Sequence, residues 1–169
     1  MYEGLSFLLM RVVLLLALSL ALVPTASSFN GALPGDVEDC APGDAQRVVQ
    51  RYVNAFNAWN VRALDRVFAP AASFNWFSTG APGRRLGPAA YDRSTLMPYF
   101  RARHRAGERL RLVRFSGGGN ANGYSHFQFF IERRARALRR MIYEGKGAAI
   151  CAASGDSISV WSVGPPRRG

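Results

Sequence analysis

Two histidines, two cysteines and two runs of arginine are the side chains here whose types and spacing could do chemistry. His104 is the sharpest of them. With Leu96 as the zero of a helical wheel, Met97, Phe100 and His104 fall within about 100° of it, so His104 is expected to face the sheet. An imidazole there can act as a general base or a hydrogen-bond donor. It can equally be a core histidine bonded to a carbonyl or carboxylate. His126 has the opposite parity to Phe127 and Phe129. If those rings face inward, His126 and Gln128 face solvent or a dimer partner; with reversed parity they floor a pocket. The outward arrangement is the expected one.

The acids make no obvious catalytic set. Asp65 is expected to cap a helix or pair with Arg62 or Arg66, and Asp92 to support a helix N-terminus. Glu132 and Glu144 read as ion-pair partners, and Glu108 as a partner of Arg105 or Arg101. The run Gly117–Gly123 is no phosphate cradle, because no helix follows it; it reads as a flexible hairpin loop. Two cysteines and two distant histidines lack metal-ligand spacing, so neither metal nor cofactor is expected. Cys40 and Cys151 read instead as one disulfide of an exported chain.

The arginine runs are Arg101–Arg114 and Arg133–Arg140, in a chain of net charge +11 whose only lysine is Lys146. Such patches suit an anionic envelope polymer or nucleic acid. Export argues against nucleic acid. Because the arginines alternate with apolar residues, they also read in part as the solvated faces of a helix and strands.

Export is read from the N-terminus. Arg11 precedes the apolar run Val12–Val23, then Pro24, and Ala26-Ser27-Ser28 offers small residues for cleavage near Ser28. Met10 is a second candidate start. The run falls short of the ~20 apolar residues of a membrane-spanning helix, so no span is expected in the mature chain. Residues 1–28 then form a signal peptide and 29–43 an extended leader. One domain follows over 44–164, with a basic tail at 165–169.

These residues must be positioned by regular elements. Asp44 looks like the N-cap of a helix over Ala45–Trp59, whose Val48, Val49, Tyr52, Val53, Phe56 and Trp59 share a face. Asn60 can cap a short helix, Val61–Phe68. Ala72–Ser78 is an aromatic strand, and the chain may pair back over Arg85–Gly87. Ser94 opens a third helix, Thr95–Ala106, with Pro98 tolerated near its first turn and Gly107 as its C-cap. Four strand-like runs follow: Glu108–Ser116, Gly123–Arg134, Leu138–Cys151 and Asp156–Val163. In the second of these, Phe127, Phe129 and Ile131 alternate with His126, Gln128 and Glu132, the mark of one dry face. Helices segregated ahead of a late antiparallel sheet mean an α+β fold.

That order resembles the nuclear transport factor 2-like superfamily, the cystatin-like cone of three N-terminal helices packed on a curved antiparallel sheet. SnoaL-like cyclases and ketosteroid isomerases belong to it. The resemblance rests on Val48–Phe68, Phe74-Asn-Trp-Phe77, Tyr99–His104 running into Gly107–Leu110, and the final strands. It implies a pocket walled by Tyr52, Phe56, Trp76, Phe100, Phe115, Phe127, Phe129, Tyr143 and Trp161, with His104 beside them. The same aromatics could simply fill a core. The inward aspartate of the superfamily's enzymes has no counterpart here. The resemblance also implies a homodimer through the outer sheet face.

The expected protein is therefore secreted or envelope-associated, stapled by Cys40–Cys151, and a non-catalytic binder of a small apolar ligand or a protein partner. One alternative is a cofactor-free isomerase, cyclase or dehydratase using His104. Another is a binder of anionic envelope polymer through the arginine clusters.

Overall fold

Asn60 makes the cap that its type predicts: its side chain accepts from the Ala63 N–H at 3.0 Å and starts a short helix. That helix is the second in a computed structural model describing residues 37–38, 40–41, 43–69, 74–78, 93–121, 123–136, 138–153 and 155–166. In chain order the elements are β1 (Val37–Glu38), α1 (Asp44–Ala58), α2 (Val61–Arg66), β2 (Asn75–Phe77), α3 (Arg93–Arg105), β3 (Arg109–Ala121), β4 (Tyr124–Ala135), β5 (Leu138–Ala152) and β6 (Ser157–Pro166). All belong to one compact unit, Leu33–Gly169. The signal segment, residues 29–36, the pairing at Arg85–Gly87 and the last three residues lie outside the described residues.

The sheet runs β2-β6-β5-β4-β3, with β1 added on β5. Consecutive strands β3 to β6 pair antiparallel. The expectation of a wholly antiparallel sheet is corrected at one edge, where β2 pairs parallel with β6. The sequence separation between them, filled by α3 and three strands, leaves either direction open.

α1 buries Val48, Val49, Tyr52, Val53 and Phe56, as its periodicity requires. Its ends differ from expectation. The N-cap is Gly43 at φ 93°, while Asp44 lies in the first turn, where it accepts from the Ala41 N–H and pairs with Arg47. Trp59 is not helical; it caps α1 in the left-handed region (φ 52°, ψ 37°). Pro98 sits in the second turn of α3, which begins at Arg93.

Three further boundaries move. Val37–Glu38 pairs with Ala152 and Cys151 rather than hanging free, because the Cys40–Cys151 disulfide holds the leader beside β5. β3 continues through the glycines to Ala121, so only a tight turn remains before β4. β6 extends to Pro166, which pairs with Tyr143, taking in part of the supposed tail.

The parity of β4 is as expected. Phe127, Phe129 and Ile131 are buried; His126 and Gln128 are exposed. Across the ladder Phe127 faces Gly147 and Phe129 faces Gly145. A Cβ on Gly147 would stand 2.4 Å from Phe127 Cζ and 2.5 Å from the Val160 carbonyl oxygen. The ring could rotate away, but the backbone oxygen cannot. Gly147→Ala is therefore expected to cost at least about 2–3 kcal/mol, as overpacking does. An unchanged denaturant midpoint for that variant would refute the close packing.

Candidate functional site

α3 ends in a Schellman turn. The Gly107 N–H bonds to the His104 carbonyl at 2.9 Å and the Glu108 N–H to the Arg103 carbonyl at 3.1 Å, with Gly107 at φ 75°. This turn brings together the side chains four residues before and one residue after the glycine. Usually both are apolar; here they are Arg103 and Glu108.

The pair is buried, and Arg133 completes it. Arg103, Glu108 and Arg133 are 3%, 1% and 1% exposed. Arg103 bonds both Glu108 oxygens, Nε at 3.0 Å and Nη2 to Oε1. Arg133 does the same from the sheet, Nε at 2.7 Å and Nη2 at 3.0 Å, and its Nη1 reaches Ser78 Oγ at 3.3 Å. One carboxylate thus accepts from two guanidinium forks. The excess positive charge meets ring faces: Arg103 lies 5.1 Å from the Phe56 and Tyr99 centroids, and Arg133 5.2 Å from Tyr143.

Burial alone would raise the Glu108 carboxyl, but Arg103 and Arg133 outweigh it and hold the group at about 2. Burial would lower Arg103, and Glu108 more than offsets that, so the guanidinium stays charged. Burial pushes the Tyr52 phenol well up, so Tyr52 stays protonated. None of these groups is poised to exchange a proton near neutral pH.

Around this triad the aromatic rings close on one another. Trp161 stacks on Phe129 at 4.0 Å and on Trp76 at 5.1 Å; Tyr52 meets Trp76 and Trp161 edge-on at 5.3 and 5.1 Å; Phe100 meets Trp76 at 4.9 Å. Among the described residues, Trp76 Nε1 is the buried side-chain polar atom left without a partner.

Clefts lined by the described residues open to the surface. At the end of α3, His104, Arg105, Gly107, Arg109, Arg134, Ala135 and Arg136 line a surface cleft of about 490 Å³. The two arginine runs meet there because β3 and β4 pair in register, Arg109 opposite Arg134. Like charges directly opposite are unfavourable in a bare sheet. Arg136 lies flat over Gly107, where a Cβ would come within 2.6 Å of its Cγ. Among the described residues no carboxylate is ion-paired with Arg105, Arg109, Arg134 or Arg136. The neighbouring arginines are committed elsewhere: Arg111 and Arg140 to Glu132 at 2.6 and 3.6 Å, Arg114 over the Phe130 ring at 4.3 Å.

Solved structures match this fold. An uncharacterised protein with a cystatin-like fold from Caulobacter vibrioides superposes with a TM-score of 0.60 at 13% identity, over 74% of this chain and 88% of that one. A protein of unknown function with a cystatin-like fold from Nostoc punctiforme gives 0.58 at 11%, over 75% and 90%. A nuclear transport factor 2-like protein of unknown function from Shewanella oneidensis gives 0.54 at 9%, over 71% and 95%. The chain has the nuclear transport factor 2-like fold. No protein-family model matches the sequence, and no curated protein matches it either.

Within this nuclear transport factor 2-like domain the residues named for a pocket separate into three groups. Tyr52, Phe56, Trp76, Phe100, Phe127, Phe129, Tyr143 and Trp161 are together in the interior and pack as one core. Phe115 is half-buried and lines a different cleft, beside Cys40. His104 leaves the ring cluster: it stacks on Trp59 at 4.7 Å and lines the arginine cleft. The expectation that it faces the sheet is corrected by the wheel itself. Arg103, seven residues after Leu96, lies about 20° from it, whereas His104 lies about 80° away. The expected partners of Glu108, Arg105 or Arg101, are likewise replaced by Arg103 and Arg133. Strand parity already marked Arg133, which shares the odd-numbered face of Phe127, Phe129 and Ile131. Charged residues were read as outward by type, and that hid both arginines.

Proposed function

We propose that this domain is a non-catalytic binding module that takes an anionic polymer in the cleft of Arg105, Arg109, Arg134 and Arg136. The observation that carries the reading is the convergence of four guanidiniums from two sequence runs with no carboxylate among the described residues to neutralise them. Fixed cationic clefts concentrate polyanions and bind them through screened electrostatics. The interior supports the non-catalytic part. Its acid is saturated by two arginines, its Tyr52 is held protonated, and His104 stands outside it. The disulfide, and the lack of a membrane-crossing helix among the described residues, are compatible with a location outside the cytoplasm, where surface polymers occur. A homodimer through the exposed face of β4, with His126 and Gln128, belongs to the same proposal.

Binding to dextran sulfate tests it. Affinity is expected to fall at least about tenfold when salt rises from about 50 to 200 mM. The double variant Arg109→Glu, Arg136→Glu is expected to lose at least about tenfold at low salt, with its fold intact by circular dichroism. Binding insensitive to both would refute the reading. A second reading is favoured by the orphan Trp76 Nε1: a small apolar ligand with one acceptor atom entering the ring cluster. It predicts quenching of tryptophan fluorescence that Trp76→Phe abolishes.

A further inference from the structure

The arginine cleft contains one side chain able to change its charge near neutral pH, and that side chain is held with care. His104 is clamped between elements. The Trp59 ring stacks on it from the end of α1 at 4.7 Å and an interplanar angle of 22°, and Phe56 meets it edge-on at 5.9 Å. The Asn57 backbone beside it favours its protonated form. The Asn57 side chain in turn pins β3, donating to the Leu110 carbonyl at 2.8 Å and accepting from the Leu110 N–H at 2.9 Å.

Trp59 holds its place at a cost. A bulky residue at φ 52° sits where glycine is usual, and the left-handed conformation costs roughly 1–2 kcal/mol. The turn is otherwise an ordinary one: Trp59 N–H bonds to Phe56 and Asn60 N–H to Ala55. A strained residue whose ring serves as the wall of another side chain is a feature to be accounted for.

Among the described residues the charges lining the cleft beside His104 are all of one sign. α3 supplies Arg105, β3 supplies Arg109, β4 supplies Arg134, and the turn after it supplies Arg136. α1 presents only the uncharged Phe56, Asn57 and Trp59. Glu108, four residues on, is turned inward and spent on Arg103 and Arg133. Burial and then Arg109 push the ring's proton affinity down, with the Asn57 backbone opposing. An oxyanion in the cleft would supply the missing negative charge and reverse the second of these effects.

We propose that the cleft binds its anion together with a proton taken up by His104, so that affinity for sulfated or phosphorylated polymers rises as the medium acidifies. This rests on the polyanion-binding reading and adds its regulation. Neutral His104 has one N–H; protonation adds a second donor and a charge in a cleft lined by four arginines. Binding and protonation then reinforce each other by linkage.

A sulfated oligosaccharide is the suitable probe, because sulfate esters stay ionised throughout the range and any pH dependence belongs to the protein. Titration of the wild type is expected to show about fivefold to tenfold tighter binding at about pH 5.5 than at about pH 7.5, and the His104 ring resonances to shift their midpoint upward with probe bound. His104→Gln, which keeps an N–H donor but cannot titrate, is expected to bind like the wild type at the higher pH with no gain at the lower. His126→Gln, the other histidine, should keep the full gain. Wild-type binding equal at both pH values, or a gain that survives His104→Gln, overturns the proton coupling and leaves polyanion binding standing. No wild-type binding at either pH overturns both.

Discussion

Glu108→Gln is expected to cost about 3–5 kcal/mol, the largest loss from any single side chain here. The carboxylate is the one negative charge among the described residues that bonds both Arg103 and Arg133, and all three are buried. Neutralising it removes the charge that both guanidiniums share. The ring faces of Phe56, Tyr99 and Tyr143 soften that cost but cannot replace four charge-assisted hydrogen bonds. A fall in Tm of roughly 10–20 °C follows for a domain of this size. Replacing all three members by apolar residues of similar volume should restore much of the loss, since the triad must then repay no desolvation. A Glu108→Gln variant as stable as the wild type would show that the triad is not closed as described.

The same group sets an acid limit. Its carboxyl is held at about 2, against an ordinary 4.5. A depressed carboxyl contributes stability that is complete above its unfolded value and disappears as pH falls through the folded one. About 3 kcal/mol should therefore be lost progressively between about pH 4.5 and pH 2. The Glu108→Gln variant should lack this component of the acid transition.

Reduction of Cys40–Cys151 carries the second large effect. The bridge spans 111 residues with its Cα atoms 5.2 Å apart, and it fastens β1 beside β5 at Glu38 and Cys151. Closing a loop of that length removes enough chain entropy from the unfolded state to be worth roughly 4–5 kcal/mol at most. The Cys40→Ala, Cys151→Ala double variant should melt roughly 10–20 °C lower than the oxidised protein and be indifferent to reductant. Equal melting temperatures with and without a dithiol would refute the contribution.

These two predictions draw on features of unequal legibility. The disulfide was readable, because two cysteines in a chain with an exported look have one partner each. The alternation of β4 and the inner face of α1 were readable too, since a period of two and a period of 3.6 are local properties of the chain. They placed Phe127, Phe129, Val48 and Phe56 on the faces where they are found. The triad was half-readable. Position alone put Arg103 beside Leu96 and Arg133 beside Ile131, and residue type argued the other way.

By itself, then, the sequence determined the order of helices and strands, the α+β class, the dry face of each main element, and the pairing of its cysteines. Each of these follows from spacing along the chain. Only the tertiary structure decided which arginines are buried and which lie open. That choice depends on the register that sets Arg109 against Arg134, and on the Schellman turn that folds Glu108 back onto Arg103. It also moved His104 from the interior to the wall of a cationic cleft. A side chain about 80° around its helix can be claimed by either neighbour, and here Phe56 of α1 and its cap Trp59 claimed it.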